Sequence, residues 1–302
     1  MERQILDLSE GQRHLSKQRG LLVIQCDTGT EDQKTVKVSF DDIEAIIVHT
    51  PQASYSNGCI VELAVRNIPL VISDTNHMPV GWFSPAEGNY EQSRRIGAQV
   101  DMTKPLRGRL WTRVVRAKLE GQAAVLEEFG QRSGALMDLA KSVRPGDPNN
   151  TEATGARRYW RLLMGPEFQR NKNGAAPNGL FNYGYTVLRA AVARQICAAG
   201  LHPSIGLHHS NRFNAFCLVD DLMEPLRPLV DRCVVHLNQG GVWDVTPEAK
   251  SNLTSVLAEE RETKRGAAPL SRCIEWAAQS LVQSMLNKRD ELQLPNPKLI
   301  FR

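Results

Sequence analysis

The 302-residue sequence has no apolar stretch long enough to cross a bilayer. Runs such as Leu21 to Ile24, Ala45 to Val48 and Ala215 to Val219 fall far short of the roughly 20 residues that a spanning helix needs, so no membrane association is expected. The chain begins Met1-Glu2-Arg3-Gln4 without an apolar signal segment, and a cytoplasmic protein is the expectation. There is no CxxC pair. The six cysteines, Cys26, Cys59, Cys197, Cys217, Cys233 and Cys273, are scattered, most of them among apolar neighbours. That pattern argues for reduced core thiols and against a cysteine zinc site. Neither a GxxxxGK(S/T) phosphate loop nor a GxGxxG fingerprint is present, which leaves nucleotide hydrolysis without support. No internal repeat is visible.

What is present fits a folded globular protein: 41% hydrophobic and 23% charged residues, in a length that allows one large domain or two ordinary ones. The formal net charge of +4 conceals an asymmetry. Residues 1–90 carry 7 Lys and Arg against 12 Asp and Glu, a net of −5, and the remainder carries +9. A basic C-terminal part suits a polyanion such as nucleic acid, and it also suits an ordinary solvated surface.

The spacing predicts an α+β protein. Residues 1–88 read as a small β-domain and residues 89–302 as a larger all-helical domain. Leu21 to Cys26, Lys34 to Ser39, Ile43 to Val48, Leu70 to Ser73 and Pro79 to Phe83 are short runs with strand character. A short helix is expected from Asn57 to Arg66. From about Asn89 the period becomes helical: Leu110, Val114, Val115, Leu119 and Ala123 recur with Arg109, Arg113, Arg116 and Lys118 around them. Phe181, Tyr185, Leu188, Val192 and Ile196 form another stripe, and later helices are expected at 247–257 and 270–286. Residues 142–150 read as a separating loop, and Pro295 to Lys298 as an irregular tail.

The segment from Pro203 to Pro228 concentrates the chemistry. It sets His208, His209, Asp220, Asp221 and Glu224 between apolar residues, and charged groups are rarely buried unless paired or metal-bound. Asp221 and Glu224, three apart on an expected helix capped by Asp220, offer a carboxylate pair to a divalent cation; equally, they form an acidic first turn that favours the helix dipole. Pro225 and Pro228 would be tolerated near the start of that helix. His208 or His209 offers a nitrogen ligand, or serves structure. Glu152 opens a candidate helix in which Ala153, Gly155 and Ala156 permit close packing. Arg157 and Arg158 follow one turn on, where they meet phosphates or simply solvent. Asn178 and Asn182 either bring polar groups to the site or cap.

None of these features is specific alone, but their order is. Glu152, then Asn182-Tyr183-Gly184-Tyr185, then Gly206-Leu207-His208-His209, then Asp221 to Pro228 resembles the CRISPR-associated integrase family, the core endonuclease of spacer acquisition. The closest likeness is to members from systems with a single large effector. The family pattern has a helical Glu, an Asn-Tyr-Gly-Tyr helix, a Gly-x-x-His and an Asp-Leu-x-Glu-Pro-x-Arg-Pro segment, matched over about Glu152 to Asp231.

The resemblance implies that Glu152, His209 and Glu224 are the catalytic metal ligands, His209 holding the fourth position of Gly-x-x-His. Asp221 is then a ligand or a supporting group, and Asn182 a supporting one. Oxygen ligands and a histidine suit Mg²⁺ or Mn²⁺. The implied activity is metal-dependent insertion of short DNA fragments into a CRISPR array, a DNA 3′-hydroxyl attacking the repeat backbone. Arg157, Arg158 and Arg212 are candidates for phosphate contacts on double-stranded DNA. A homodimer through the β-domain, with two dimers bridged by a small adaptation partner, is also implied. The competing readings are a structure-selective nuclease without integrase activity and a non-catalytic DNA-binding scaffold.

Overall fold

Strands form wherever β-branched runs mark the N-terminal part, and three further strands form where nothing marks them. The computed structural model describes residues 4–8, 11–27, 34–74, 79–83, 85 and 89–296. The chain divides into two units, Met1–Gly88 and Asn89–Arg302.

The first unit contains β1 (Gln4–Leu8), β2 (Gln12–Gln18), β3 (Leu21–Asp27), β4 (Lys34–Ser39), β5 (Ile43–Val48), β6 (Ala53–Tyr55), helix α1 (Asn57–Val65), β7 (Leu70–Ser73) and β8 (Pro79–Phe83). These make two four-stranded sheets, in the orders β1-β5-β7-β8 and β4-β3-β2-β6. Strand β5 lies parallel between β1 and β7 with every residue buried, which is why it reads as apolar throughout except at Glu44. The core joins Leu15, Leu22 and Ile24 of one sheet to Ile43, Ile46, Val48 and Leu70 of the other, with Cys59 and Leu63 of α1 between their neighbours. Ser56 caps α1, accepting from the Cys59 N–H at 3.2 Å.

The second unit contains α2 (Gln92–Val100), α3 (Lys104–Glu128), α4 (Gly134–Ser142), α5 (Thr151–Met164), α6 (Asn178–Ala198), α7 (Cys217–Met223), α8 (Arg227–Gln239), α9 (Pro247–Ser255), a hairpin of β9 (Glu260–Thr263) and β10 (Gly266–Pro269), and α10 (Leu270–Leu286). It is therefore largely helical rather than all-helical. The hairpin pairs antiparallel, and its short strands lack the β-branched runs that reveal strands elsewhere.

At 25 residues, about 37 Å at 1.5 Å per residue, α3 is the longest helix described. It packs against α4, α5, α7 and α8. The approach of α5 to α3 requires a glycine: a Cβ at Gly155 would lie 2.1 Å from Leu119 Cδ2.

The expected helix through Asp221 and Glu224 is broken in two. Helix α7 ends at Met223, a 3₁₀ turn spans Glu224–Leu226, and α8 begins at Arg227. Pro225 and Pro228 lack the N–H groups an unbroken helix would use. Asp220 is not a cap either: Phe216 holds that position, and Asp220 sits in the first turn of α7, paired with Arg189 at 2.6 Å.

All six cysteines are free, three of them buried. No helix among the described residues is long and apolar enough to cross a membrane. Of the expected tail, Pro295 and Asn296 have no regular structure, and Pro297 and Lys298 lie outside the described residues, as do Met1 to Arg3 of the N-terminal segment.

Candidate active site

Glu152 and Glu224 meet on a single cation. Glu152 projects from the first turn of α5, Glu224 from the 3₁₀ turn before α8, and both carboxylates pair with Lys118 of α3. The Lys118 ammonium lies 2.5 Å from Glu224 Oε2, while Arg227 Nη2 holds Glu224 Oε1 at 3.1 Å. Burial pushes the Glu224 carboxyl up, but Arg227, Lys118 and His209 more than offset this and hold it below its ordinary value. Burial likewise pushes the Lys118 ammonium down, and Glu224 and Glu152 more than offset it, so its pKa is raised. Glu224 and Lys118 are buried, whereas Glu152 and His209 are partly exposed and open the cluster to solvent.

Asp147 fixes where Glu152 stands. Its carboxylate accepts the N–H groups of Thr151 and Glu152, both at 2.9 Å, and so satisfies two donors at the start of α5. Asn150, left-handed at φ 49°, adds its side chain as acceptor for Ala153.

Asp221 organises the histidine loop. Its side chain is fully buried at 0% exposure. Oδ2 accepts the N–H groups of Leu207 at 2.6 Å and His208 at 3.0 Å; Oδ1 accepts that of His209 at 3.2 Å and also meets His209 Nδ1 at 2.6 Å. Gly206 is required here, since a Cβ would lie 2.3 Å from the His209 carbonyl and 2.7 Å from Asp221 Oδ2. With Asp221 accepting, His209 carries its proton on Nδ1 when neutral, which leaves the lone pair on Nε2. The hydrogen bond to Asp221 raises the His209 pKa above its ordinary value, against the opposing effect of burial.

His208 differs in role from His209. Its ring stacks flat on Trp111, with centroids 4.3 Å apart at 3°, whereas His209 meets the same ring edge-on at 5.9 Å and 85°.

The structure therefore brings Glu152 and Glu224 together and turns Asp221 to another task. Asp221 and Glu224 meet different partners, the histidine loop for Asp221 and Lys118 with Arg227 for Glu224. Among the described residues, no three His, Cys, Asp or Glu side chains are grouped to hold a metal ion. Asn182 is buried on α6, where it accepts from Arg170 at 2.7 Å and donates to the Lys172 carbonyl at 2.7 Å, so it holds the loop before α6. Arg157 and Arg158 are exposed on α5, the helix that carries Glu152. Arg212 is exposed three residues beyond His209, its guanidinium 4.6 Å from the ring centroid of Phe213, itself 82% exposed.

The Asn182-Tyr183-Gly184-Tyr185 run is tied to Glu224 through a buried network. Tyr185 and Tyr159 donate to Asp231 of α8, and Arg227, the partner of Glu224, lies over the Tyr185 ring at 5.0 Å.

Lys118 and Asp147 escaped the sequence reading. Lys118 was grouped with the arginines around the α3 stripe, yet it is only 7% exposed. Its spacing of three from Val115 and four from Gln122, both buried, was the available signal. Asp147 carried no signal beyond lying a few residues before a helix start.

The comparisons agree with this architecture. Residues 6–265 match the model of the family described as CRISPR associated protein Cas1. A CRISPR-associated endonuclease Cas1 from Neisseria meningitidis serogroup C is 34% identical over 286 residues, covering 93% of this chain and 92% of that protein. One from Pyrobaculum aerophilum is 26% identical, covering 93% and 99%. Among solved structures, a casposase bound to integration product superposes with a TM-score of 0.81 at 20% identity, covering 96% of this chain and 92% of that chain. A Cas6-RT-Cas1–Cas2 complex gives 0.76 at 18% identity, covering all of this chain and 36% of that one. The chain belongs to the Cas1 family of CRISPR-associated proteins.

Proposed function

We propose that this protein is a metal-dependent DNA endonuclease and integrase of CRISPR adaptation, which inserts short DNA fragments into a CRISPR array. Family membership and the 34% identical relative named as an endonuclease support the nuclease class. The observation that carries the reading is the convergence of Glu152 and Glu224 on one cation, beside a histidine oriented by a buried aspartate.

Glu152, Glu224 and His209 are the proposed ligands of Mg²⁺ or Mn²⁺. The carboxylates fit such an ion, because hard oxygen donors from two separate elements already converge on a positive centre. A bound divalent ion would polarise the scissile phosphate and stabilise charge on the attacking and leaving oxygens. The chain's own residues supply the setting. Asp221 holds the histidine tautomer, Asp147 holds the start of α5, and Arg227 neutralises the inner oxygen of Glu224. The proposed nucleophile is a DNA 3′-hydroxyl, with water in its place giving hydrolysis, so no protein nucleophile is needed.

Arg157, Arg158 and Arg212 are proposed to contact backbone phosphates of double-stranded DNA, which position the duplex without reading its sequence. Their exposure supports this. A homodimer through the β-rich unit, with two dimers bridged by a small adaptation partner, is the proposed assembly, and a cytoplasmic location follows from the proposed role. The likeness to a chain of a Cas6-RT-Cas1–Cas2 complex is compatible with such a partner.

The test is a strand-transfer assay. Purified protein and its partner meet a short duplex and a supercoiled repeat-bearing plasmid, in Mn²⁺ or in EDTA. Metal-dependent joining that is lost in His209→Ala, with DNA binding retained, is the expected result. Cutting without joining would favour a nuclease, and DNA binding with no metal-dependent chemistry a scaffold.

A further inference from the structure

The proposed chemistry gives Lys118 no part, although it touches both proposed carboxylate ligands. It extends from the middle of α3 and is buried, its ammonium lying between the carboxylates of Glu152 and Glu224. Glu224 Oε2 is buried, and the Lys118 ammonium 2.5 Å away is the partner that balances it. Two carboxylates on separate elements repel unless a cation lies between them, and buried charge is costly when unpaired. Lys118 and Arg227 balance Glu152 and Glu224 charge for charge. A divalent ion taking the same oxygens would meet the positive charge of Lys118 at close range.

We propose that Lys118 is the intramolecular counter-cation of this centre: it holds Glu152 and Glu224 together in the metal-free protein and yields their oxygens when Mg²⁺ or Mn²⁺ enters. This rests on the metal-dependent reading above. It makes Lys118 a positioning residue whose presence weakens metal binding. A lysine that merely packs, or that only contacts a DNA phosphate, would not have that effect.

The experiment is a titration of Mn²⁺ onto the full-length protein without DNA, following free Mn²⁺ by electron paramagnetic resonance. Lys118→Met should bind Mn²⁺ at least about tenfold more tightly than the wild type, since a like charge beside the ion is removed. Its melting temperature should also rise more on Mn²⁺ addition than that of the wild type. Glu152→Gln should weaken binding in both backgrounds. Equal or weaker Mn²⁺ affinity in Lys118→Met, with the wild type binding through Glu152, overturns the counter-cation role and leaves the metal reading intact. No Glu152-dependent binding by the wild type overturns the metal reading and the role of Lys118 with it. Should Lys118→Met not fold, Lys118→Gln removes the same charge and is read by the same outcomes.

Discussion

Replacing Asp221 by Asn should collapse the order of the histidine loop while leaving the volume of the side chain unchanged. The two carboxylate oxygens accept from four donors: the Leu207, His208 and His209 N–H groups and His209 Nδ1. An amide has only one acceptor oxygen. With the NH₂ at the Oδ2 position, the Leu207 and His208 N–H groups lose their acceptor; with it at the Oδ1 position, the His209 N–H loses its acceptor while Nδ1 switches tautomer and accepts from the amide. The amide takes the less costly orientation, which leaves one buried donor without an acceptor, a loss of about 1–3 kcal/mol. For a unit of about two hundred residues that corresponds to a melting temperature lower by about 5 °C. Scanning calorimetry of the full-length protein measures this, and a fall of less than about 2 °C would refute the reasoning. The histidine gives a second readout. Asp221 raises the His209 pKa, so Asp221→Asn should return it toward its ordinary value, followed by NMR. A raised histidine pKa contributes stability that is full below the unfolded value of about 6.5 and fades as pH rises through the folded value. The deficit of Asp221→Asn relative to wild type should therefore be larger at pH 6 than at pH 8.

Three further outcomes follow from the packing. Asp147→Ala removes the acceptor of the Thr151 and Glu152 N–H groups, and should cost about 1–2 kcal/mol in denaturant unfolding while lowering strand transfer more than DNA binding. Gly155→Ala forces a methyl to 2.1 Å from Leu119 Cδ2; helices α3 and α5 must part, at about 1–3 kcal/mol or more, and unfolding at the wild-type midpoint would contradict the close approach. Burial raises the Asp231 carboxyl to about 7, against the hydrogen bonds of Tyr185 and Tyr159 that lower it. The folded chain therefore keeps a proton that the unfolded chain loses between about pH 4 and 7, and stability falls as pH rises across that window; Asp231→Asn should flatten this slope in melts from pH 4 to 8.

Much of this was legible in the sequence because the signals were local. Ile43 to Val48 is a buried parallel strand, and the apolar run Ala45 to Val48 marks it. Strand β2 was invisible: Gln12 to Gln18 contains no β-branched residue, and its one inward anchor, Leu15, is fully buried at 0% only because it pairs opposite Ile24. At the site, Gly206 and His209 were readable through the resemblance to the Gly-x-x-His pattern, and the tight loop explains the glycine. The division of labour between Asp221 and Glu224 was not. Their spacing of three suggested one helical face, but Pro225 breaks the helix between them, and each meets a different partner. Lys118 was only faintly marked, by its spacing from Val115 and Gln122, for the same kind of reason. A lysine among arginines looks solvated until two carboxylates, 34 and 106 residues further on, are folded against it.

The central claim is that Glu152, His209 and Glu224 hold a divalent cation. Diffraction from crystals grown with Mn²⁺, recorded on both sides of the manganese absorption edge, tests it most directly. The expected result is an anomalous peak in contact with the carboxylates of Glu152 and Glu224 and with Nε2 of His209. No peak there, with Lys118 still between the two carboxylates at saturating Mn²⁺, would contradict the account.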